Sequence, residues 1–155
     1  MLDTPQIMQT AAQRTALIRL VVPRTEIRTV MGPGLTELRA AVAAQGVAVT
    51  GPWFTYHFHI PTDVFDFAIG VPVAAPVSAA GRMQPGALPA TTVARTVYNG
   101  PYEGLAAEWG ELHTWIAANG YAPAQELWEC YATGPESSPD PGTWRTELNQ
   151  PVIRS

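Results

Sequence analysis

The chain contains no lysine. All nine of its basic residues are arginine, so Schiff-base and lysine-nucleophile chemistry are excluded. The arginines are scattered, and the net charge is −4. Direct nucleic-acid binding needs a basic face that displaces counterions, and no such face is readable, so no nucleic-acid partner is expected. There is a single cysteine, Cys130. No intramolecular disulfide can form, which fits a reducing compartment. Met1 to Gln13 has neither a basic nor an apolar segment of the secretory kind, so a cytoplasmic location is expected. No apolar run approaches the roughly 18 residues of a membrane span, so no membrane partner is expected. There is no Gly-x-Gly-x-x-Gly, no phosphate loop and no Gly-x-Ser-x-Gly elbow. His57 and His59 have metal-ligand spacing, but no third ligand is in sight. They read as two strand histidines, with no metal and no cofactor expected.

What remains is a globular composition. Hydrophobic residues make up 46% and charged residues 14% of 155 positions, enough to bury a core without staples. Fifteen prolines and thirteen glycines imply many turns. The dominant feature is internal repetition. Pro52-Trp53-Phe54-Thr55-Tyr56 aligns with Leu127-Trp128-Glu129-Cys130-Tyr131. Each segment follows a helix-like run ending at a glycine, Gly46 or Gly120. Each precedes a strand-like run closing on Pro-Val, at Pro72-Val73 and Pro151-Val152.

Residues 5–10 and 15–22 read as strands. Pro23 to Met31 reads as at most a helical turn, stopped by the breaker Gly32-Pro33-Gly34. Leu35, Leu38, Ala41, Val42 and Gln45 have helical spacing. Strands follow at Trp53 to Ile60 and Val64 to Val71. The Ala/Pro/Gly-rich residues 74–90 read as a partly extended connection. The order then recurs: a strand from Thr91 to Tyr98, and the Asn99-Gly100-Pro101 turn. A helix follows with the stripe Leu105, Trp109, Leu112 and Ile116. Last come strands at Glu126 to Ala132 and Thr143 to Val152, joined by the acidic loop Gly134 to Gly142. The expectation is an α+β fold built as a pseudo-twofold tandem of strand-helix-strand-strand repeats with a central ligand cleft. It is one domain over 1–155: a first repeat at about 5–73, a linker at about 74–90 and a second repeat at about 91–153.

Side chains alternate faces along a strand. Leu127, Glu129 and Tyr131 therefore share one face. By the repeat alignment, Phe54, Tyr56 and Phe58 share the matching face of the first half. A carboxylate among aromatics is costly to bury without a partner, which marks Glu129 as a ligand-directed acid. The alternatives are that it is exposed, or paired with Arg95 or Arg145. Trp144 aligns with Phe65. Glu147 aligns with Ala68 and reads as structural, and Trp109 reads as core.

The motifs Tyr98-Asn99-Gly100-Pro101-Tyr102-Glu103-Gly104-Leu105, Trp115-Ile116 to Gly120-Tyr121, Trp128-Glu129-Cys130-Tyr131 and Thr146-Glu147-Leu148 to Pro151-Val152 occur in that order. In this the chain resembles the GyrI-like family of small-molecule-binding domains, which includes the effector-binding domains of BmrR- and Rob-type multidrug regulators. The order holds over about the last 60 residues, and the duplicated first half extends it. The resemblance implies a stand-alone member that binds a hydrophobic or cationic aromatic ligand. Glu129 would be the pocket acid, with Phe54, Tyr56, Tyr131 and Trp144 lining the pocket. An alternative implied by the same family is a hydrolase opening cyclopropanoid rings of DNA-alkylating natural products. Glu129 would then be general base and Tyr56 or Tyr131 its electrophilic partner. A second alternative is a gyrase-inhibitor type of protein-interaction module using the acidic loop Glu136 to Asp140.

Overall fold

The structure, a computed structural model, describes residues 3–59, 62–133 and 138–154. It is α+β, as expected: among the described residues there are nine strands and two long helices, with every strand pairing antiparallel in the registers described below. The strands are β1 (Gln6–Gln9), β2 (Gln13–Pro23), β3 (Phe54–His57), β4 (Val64–Pro72), β5 (Met83–Leu88), β6 (Thr92–Asn99), β7 (Tyr121–Pro123), β8 (Leu127–Thr133) and β9 (Arg145–Arg154). The helices are α1 (Ile27–Ala44) and α2 (Leu105–Ala118). The chain divides into two compact units, Ala11–Ala90 and a second made of Met1–Thr10 with Thr91–Ser155.

In the Ala11–Ala90 unit, β4 lies between β3 and β2, and β5 pairs with the other edge of β2. One sheet face carries Ala16, Ile18, Leu20, Phe67, Ile69, Val71 and Met83, and it packs with Leu38 and Val42 of α1. Burying each large side chain of that set contributes about 1.5–3 kcal/mol. Two sequence expectations are corrected. The Gly32-Pro33-Gly34 breaker does not stop α1, which runs through it. A Cβ at Gly34 would come within 2.7 Å of Ile69 Cδ1. The missing side chain therefore lets the helix close on the sheet, and that packing outweighs local propensity. Residues 74–90 are also more than a connection. They include β5, which completes the ladder on β2 from Gln13↔Leu88 to Ile18↔Met83.

The other unit is ordered β1-β6-β9-β8, with β7 on the far end of β9. Early in sequence as it is, β1 pairs with β6, from Gln6↔Arg95 to Gln9↔Thr92. The α2 stripe behaves as its spacing predicts. Leu112 and Ile116 are fully buried, and they pack with Ala94, Leu148 and Val152 of the sheet. Both helices end at a glycine with positive φ, 68° at Gly46 and 82° at Gly120, the left-handed geometry that lets the chain leave a helix sharply. Strand-helix-strand-strand thus recurs as β2-α1-β3-β4 and β6-α2-β8-β9. The expected strand end at Ile60 and residues Gly134 to Ser137 of the acidic loop lie outside the described residues.

Register corrects the repeat alignment. In β3, Thr55 pairs with Ile69 and His57 with Phe67, and Ile69 and Phe67 face α1. In β8, Glu129 pairs with Leu148, which faces α2. Thr55 and His57, not Phe54 and Tyr56, therefore hold the positions of Glu129 and Tyr131. The two tryptophans drew the sequences together one residue out of step. Trp53 packs on the α1 side, whereas Trp128 pairs with Asn149 on the face away from α2. A one-residue slip exchanges faces for every side chain of a strand. The β4–β9 part of the alignment is in step: Glu147 stands where the other unit has Ala68, and Thr146 where it has Phe67.

Candidate functional site

Glu129 lies in the middle of β8, 9% exposed, beneath α2. Trp109, on the α2 stripe, donates its indole N–H to Glu129 Oε2 at 2.5 Å. Tyr131, two residues along the same strand face, donates its hydroxyl to Oε1 at 2.6 Å. No arginine or histidine pairs with this carboxylate among the described residues. Arg95 donates instead to Asn149 Oδ1 at 2.6 Å and sits 3.5 Å from Glu147. Burial pushes the Glu129 carboxyl above its ordinary pKa, while the bonds from Tyr131 and Trp109 pull it down. Glu129 is thus a buried acid held in place by two neutral donors. Each oxygen keeps further accepting capacity.

Aromatic rings adjoin it. Tyr102, in the 3-10 turn Tyr102–Gly104 that leads into α2, sits edge-on to Tyr131 with centroids 5.7 Å apart. It lies 5.1 Å from the Trp144 ring. Trp144 is fixed from its other end, donating its indole N–H to Ser138 O at 2.9 Å. Tyr98 donates its hydroxyl to Pro101 O at 2.7 Å, tying β6 to the start of that turn. The structure therefore brings Glu129, Tyr131 and Trp144 into one unit with Tyr102 and Trp109. Sequence reasoning passed over the last two. Trp109 was on the correct stripe, but an indole there carries a polar handle that needs an acceptor when buried. An acid on the facing strand was the available signal.

Phe54 and Tyr56 belong to the Ala11–Ala90 unit, on the sheet face away from α1. Phe54 is 1% exposed, with its ring over Gly70, where a Cβ would fall 2.3 Å from the ring. Tyr56 packs edge-on to Phe58 at 5.3 Å. His57 stacks on Phe67 at 5.4 Å and meets Phe65 edge-on at 5.6 Å, and burial pushes its pKa down to about 4. His59 is 3.8 Å from Asp66. No group of three or more metal-ligating side chains occurs among the described residues. Cys130 lies on the face opposite Glu129, and burial pushes its thiol up to about 12, so it is no ready nucleophile. No helix among the described residues is long and apolar enough to cross a membrane.

Residues 3–153 match the GyrI-like small molecule binding domain, and the chain belongs to that family. Among solved structures it resembles the C-terminal domain of EcmrR, at 22% identity and a TM-score of 0.86, covering 98% of each chain. Against EcmrR in its complex with DNA, the TM-score is 0.85 at 22% identity, and 98% of this chain spans 58% of that one. SAV2435 bound to tetraphenylphosphonium aligns at 14% identity with a TM-score of 0.67, over 97% of this chain and 94% of that one. A hydrolase encoded by lin2189 from Listeria innocua aligns at 13% identity with a TM-score of 0.69, over 96% and 91%. At these identities the likeness establishes the fold. No curated protein matches the chain significantly.

Proposed function

We propose that the protein binds a hydrophobic organic cation through Glu129, with Tyr131, Tyr102 and Trp144 as the aromatic contacts. The observation that carries this reading is a carboxylate 9% exposed with two neutral donors and no basic partner among the described residues. A cation is what that site lacks. Two unit charges about 4 Å apart interact by about 4 kcal/mol at an effective dielectric of 20. Part of that energy is consumed in ionising an acid whose pKa burial has raised. A cation over an aromatic face adds about 0.5–2 kcal/mol. SAV2435, which shares the fold, was solved with such a cation. Calorimetric titration with tetraphenylphosphonium tests the reading. Glu129→Gln keeps the shape and removes the charge, and it should weaken binding about 10- to 100-fold, or about 1.4–2.7 kcal/mol. Equal affinity in the two proteins would refute the role of the acid.

A second reading is favoured by the pairing of Glu129 with the Tyr131 hydroxyl at 2.6 Å; burial raises the carboxyl's pKa and so makes it a stronger base than a free carboxylate. As a hydrolase, the ionised Glu129 takes a proton from water, and the oxygen adds to a cyclopropane carbon conjugated to a carbonyl. The ring bond breaks, its electrons move to the carbonyl oxygen, and the proton held on Glu129 passes to that oxygen, which restores the carboxylate; Tyr131 turns its hydroxyl from Glu129 Oε1 to hydrogen-bond the developing oxyanion. A product heavier by one water, formed by wild type and not by Glu129→Gln, would select this reading over simple binding.

A further inference from the structure

Thr146 on β9 is fully buried, and its Oγ1 has no hydrogen-bond partner among the described residues. Its cross-strand neighbours are Tyr98 on β6 and Tyr131 on β8, and the next pair on the same face of β8 and β9 is Glu129 with Leu148. Thr146 thus stands diagonal to Glu129 on the face beneath α2, where Cβ atoms lie about 7 Å apart or less. The neighbouring hydroxyls are already committed, Tyr98 to Pro101 O and Tyr131 to Glu129 Oε1. In the other unit the same position is Phe67, fully buried and stacked on His57. One copy of the repeat fills the position with a ring. The other places there a smaller side chain and a hydroxyl that the protein leaves unpaired. A buried hydroxyl without a partner is unfavourable, and valine has its shape without that cost.

Resting on the cation-binding reading of Glu129, we propose that Thr146 is a specificity-determining residue that selects a primary or secondary ammonium over a quaternary one. The ligand nitrogen donates one N–H to Glu129 and a second to Thr146 Oγ1. A quaternary ammonium satisfies the charge but has no N–H to give, so it leaves the hydroxyl unpaired.

The test uses two probes, 1-naphthylmethylamine, protonated at pH 7.5, and its N,N,N-trimethyl salt. Their dissociation constants are measured by calorimetry on wild type and on Thr146→Val, Thr146→Ala, Thr146→Ser and Glu129→Gln. Wild type should favour the primary ammonium at least tenfold. Thr146→Val and Thr146→Ala should weaken the primary ammonium at least fivefold and change the quaternary one less than twofold. Thr146→Ser should keep the preference. If either hydroxyl-less variant weakens both probes alike, or neither, Thr146 plays no part in selection. Should Glu129→Gln still weaken both, the cation site stands without it. If wild type binds tetraphenylphosphonium but neither probe, this inference is overturned and the cation site stands; if it binds none of the three, the cation-binding reading falls, and this inference with it.

Discussion

The hydrogen bond from Trp109 to Glu129 ties α2 to the sheet, and Trp109→Phe measures it. Phenylalanine keeps a ring under the helix but leaves Glu129 Oε2 without its donor. Stranding a buried acceptor costs about 1–3 kcal/mol, and the volume lost on going from indole to phenyl adds about 1 kcal/mol. The variant should lose about 2–4 kcal/mol in urea unfolding. For a chain of this size, that lowers Tm by roughly 2–4 °C per kcal/mol. Packing loss alone could give part of this, so the decisive quantity is a double-mutant cycle with Glu129→Met. Methionine removes the acceptor, so the double variant has no stranded carboxyl. The orphaned Tyr131 hydroxyl appears in both methionine proteins and cancels. A bond of this kind should give a coupling of at least about 1 kcal/mol. Coupling within about 0.5 kcal/mol, the range of independent sites, would refute the bond. The same variant should raise the Glu129 pKa, because this bond pulls it down. The pH at which cation binding reaches half its full strength should then move up. A midpoint that stays put or moves down contradicts the geometry.

Thr146→Val should stabilise the free protein by about 1 kcal/mol, since it replaces an unpaired buried hydroxyl with a methyl. A large loss of stability in urea would show that Oγ1 is satisfied after all. Glu129 has a folded-state pKa above its unfolded one, so its stabilising contribution is complete below pH 4.5 and is lost as pH rises through the raised value. Unfolding free energy measured from pH 4.5 to 8 should fall less in Glu129→Gln than in wild type. His57 has the opposite sense. Its pKa drops from 6.5 to about 4, so the unfolded chain takes up the proton first, and about 3 kcal/mol is lost as pH falls from 6.5 through 4. His57→Leu should remove most of that acid sensitivity, and an unchanged acid limb would place the sensitivity elsewhere. Cys130, pushed up to about 12, should react with a thiol reagent at pH 8 only once the protein unfolds.

Much of the fold was legible because its signals are local. Glycines at 46 and 120 cap helices, the stripe of α2 is helical, and alternation sets the strands. What escaped was non-local. The reading of Gly32-Pro33-Gly34 as a stop is sound for an isolated peptide, and it fails because Ile69 and Leu20 await the helix there. β5 carries a proline and a glycine, Pro85 and Gly86, and is a strand because β2 offers it a ladder. Of the candidate site, Glu129 and Tyr131 could be placed together from the sequence, because they lie two apart on one strand. Trp109, Tyr102 and Thr146 are distant in sequence from β8 or lie across the sheet, so no spacing rule could join them.

The contrast between the two units supports the proposed site better than the repeat itself does. Both put a helix over a sheet, and the same three inward positions can be compared. In the Ala11–Ala90 unit they are Thr55, His57 and Phe67; in the other they are Glu129, Tyr131 and Thr146. The first set stacks a histidine, kept neutral by burial, on a phenylalanine, an arrangement that contributes to packing. The second set buries a carboxyl and an unpaired hydroxyl in place of a threonine and a phenylalanine. Each of those choices lowers the stability of the free protein relative to an apolar residue of similar shape. The other copy holds a threonine at the Glu129 position and a phenylalanine at the Thr146 position, so the fold itself requires neither the carboxyl nor that hydroxyl. On the cation-binding proposal the polar set serves a ligand beneath α2, and exchanging it for Thr, His and Phe should then give a more stable protein with no affinity for cations.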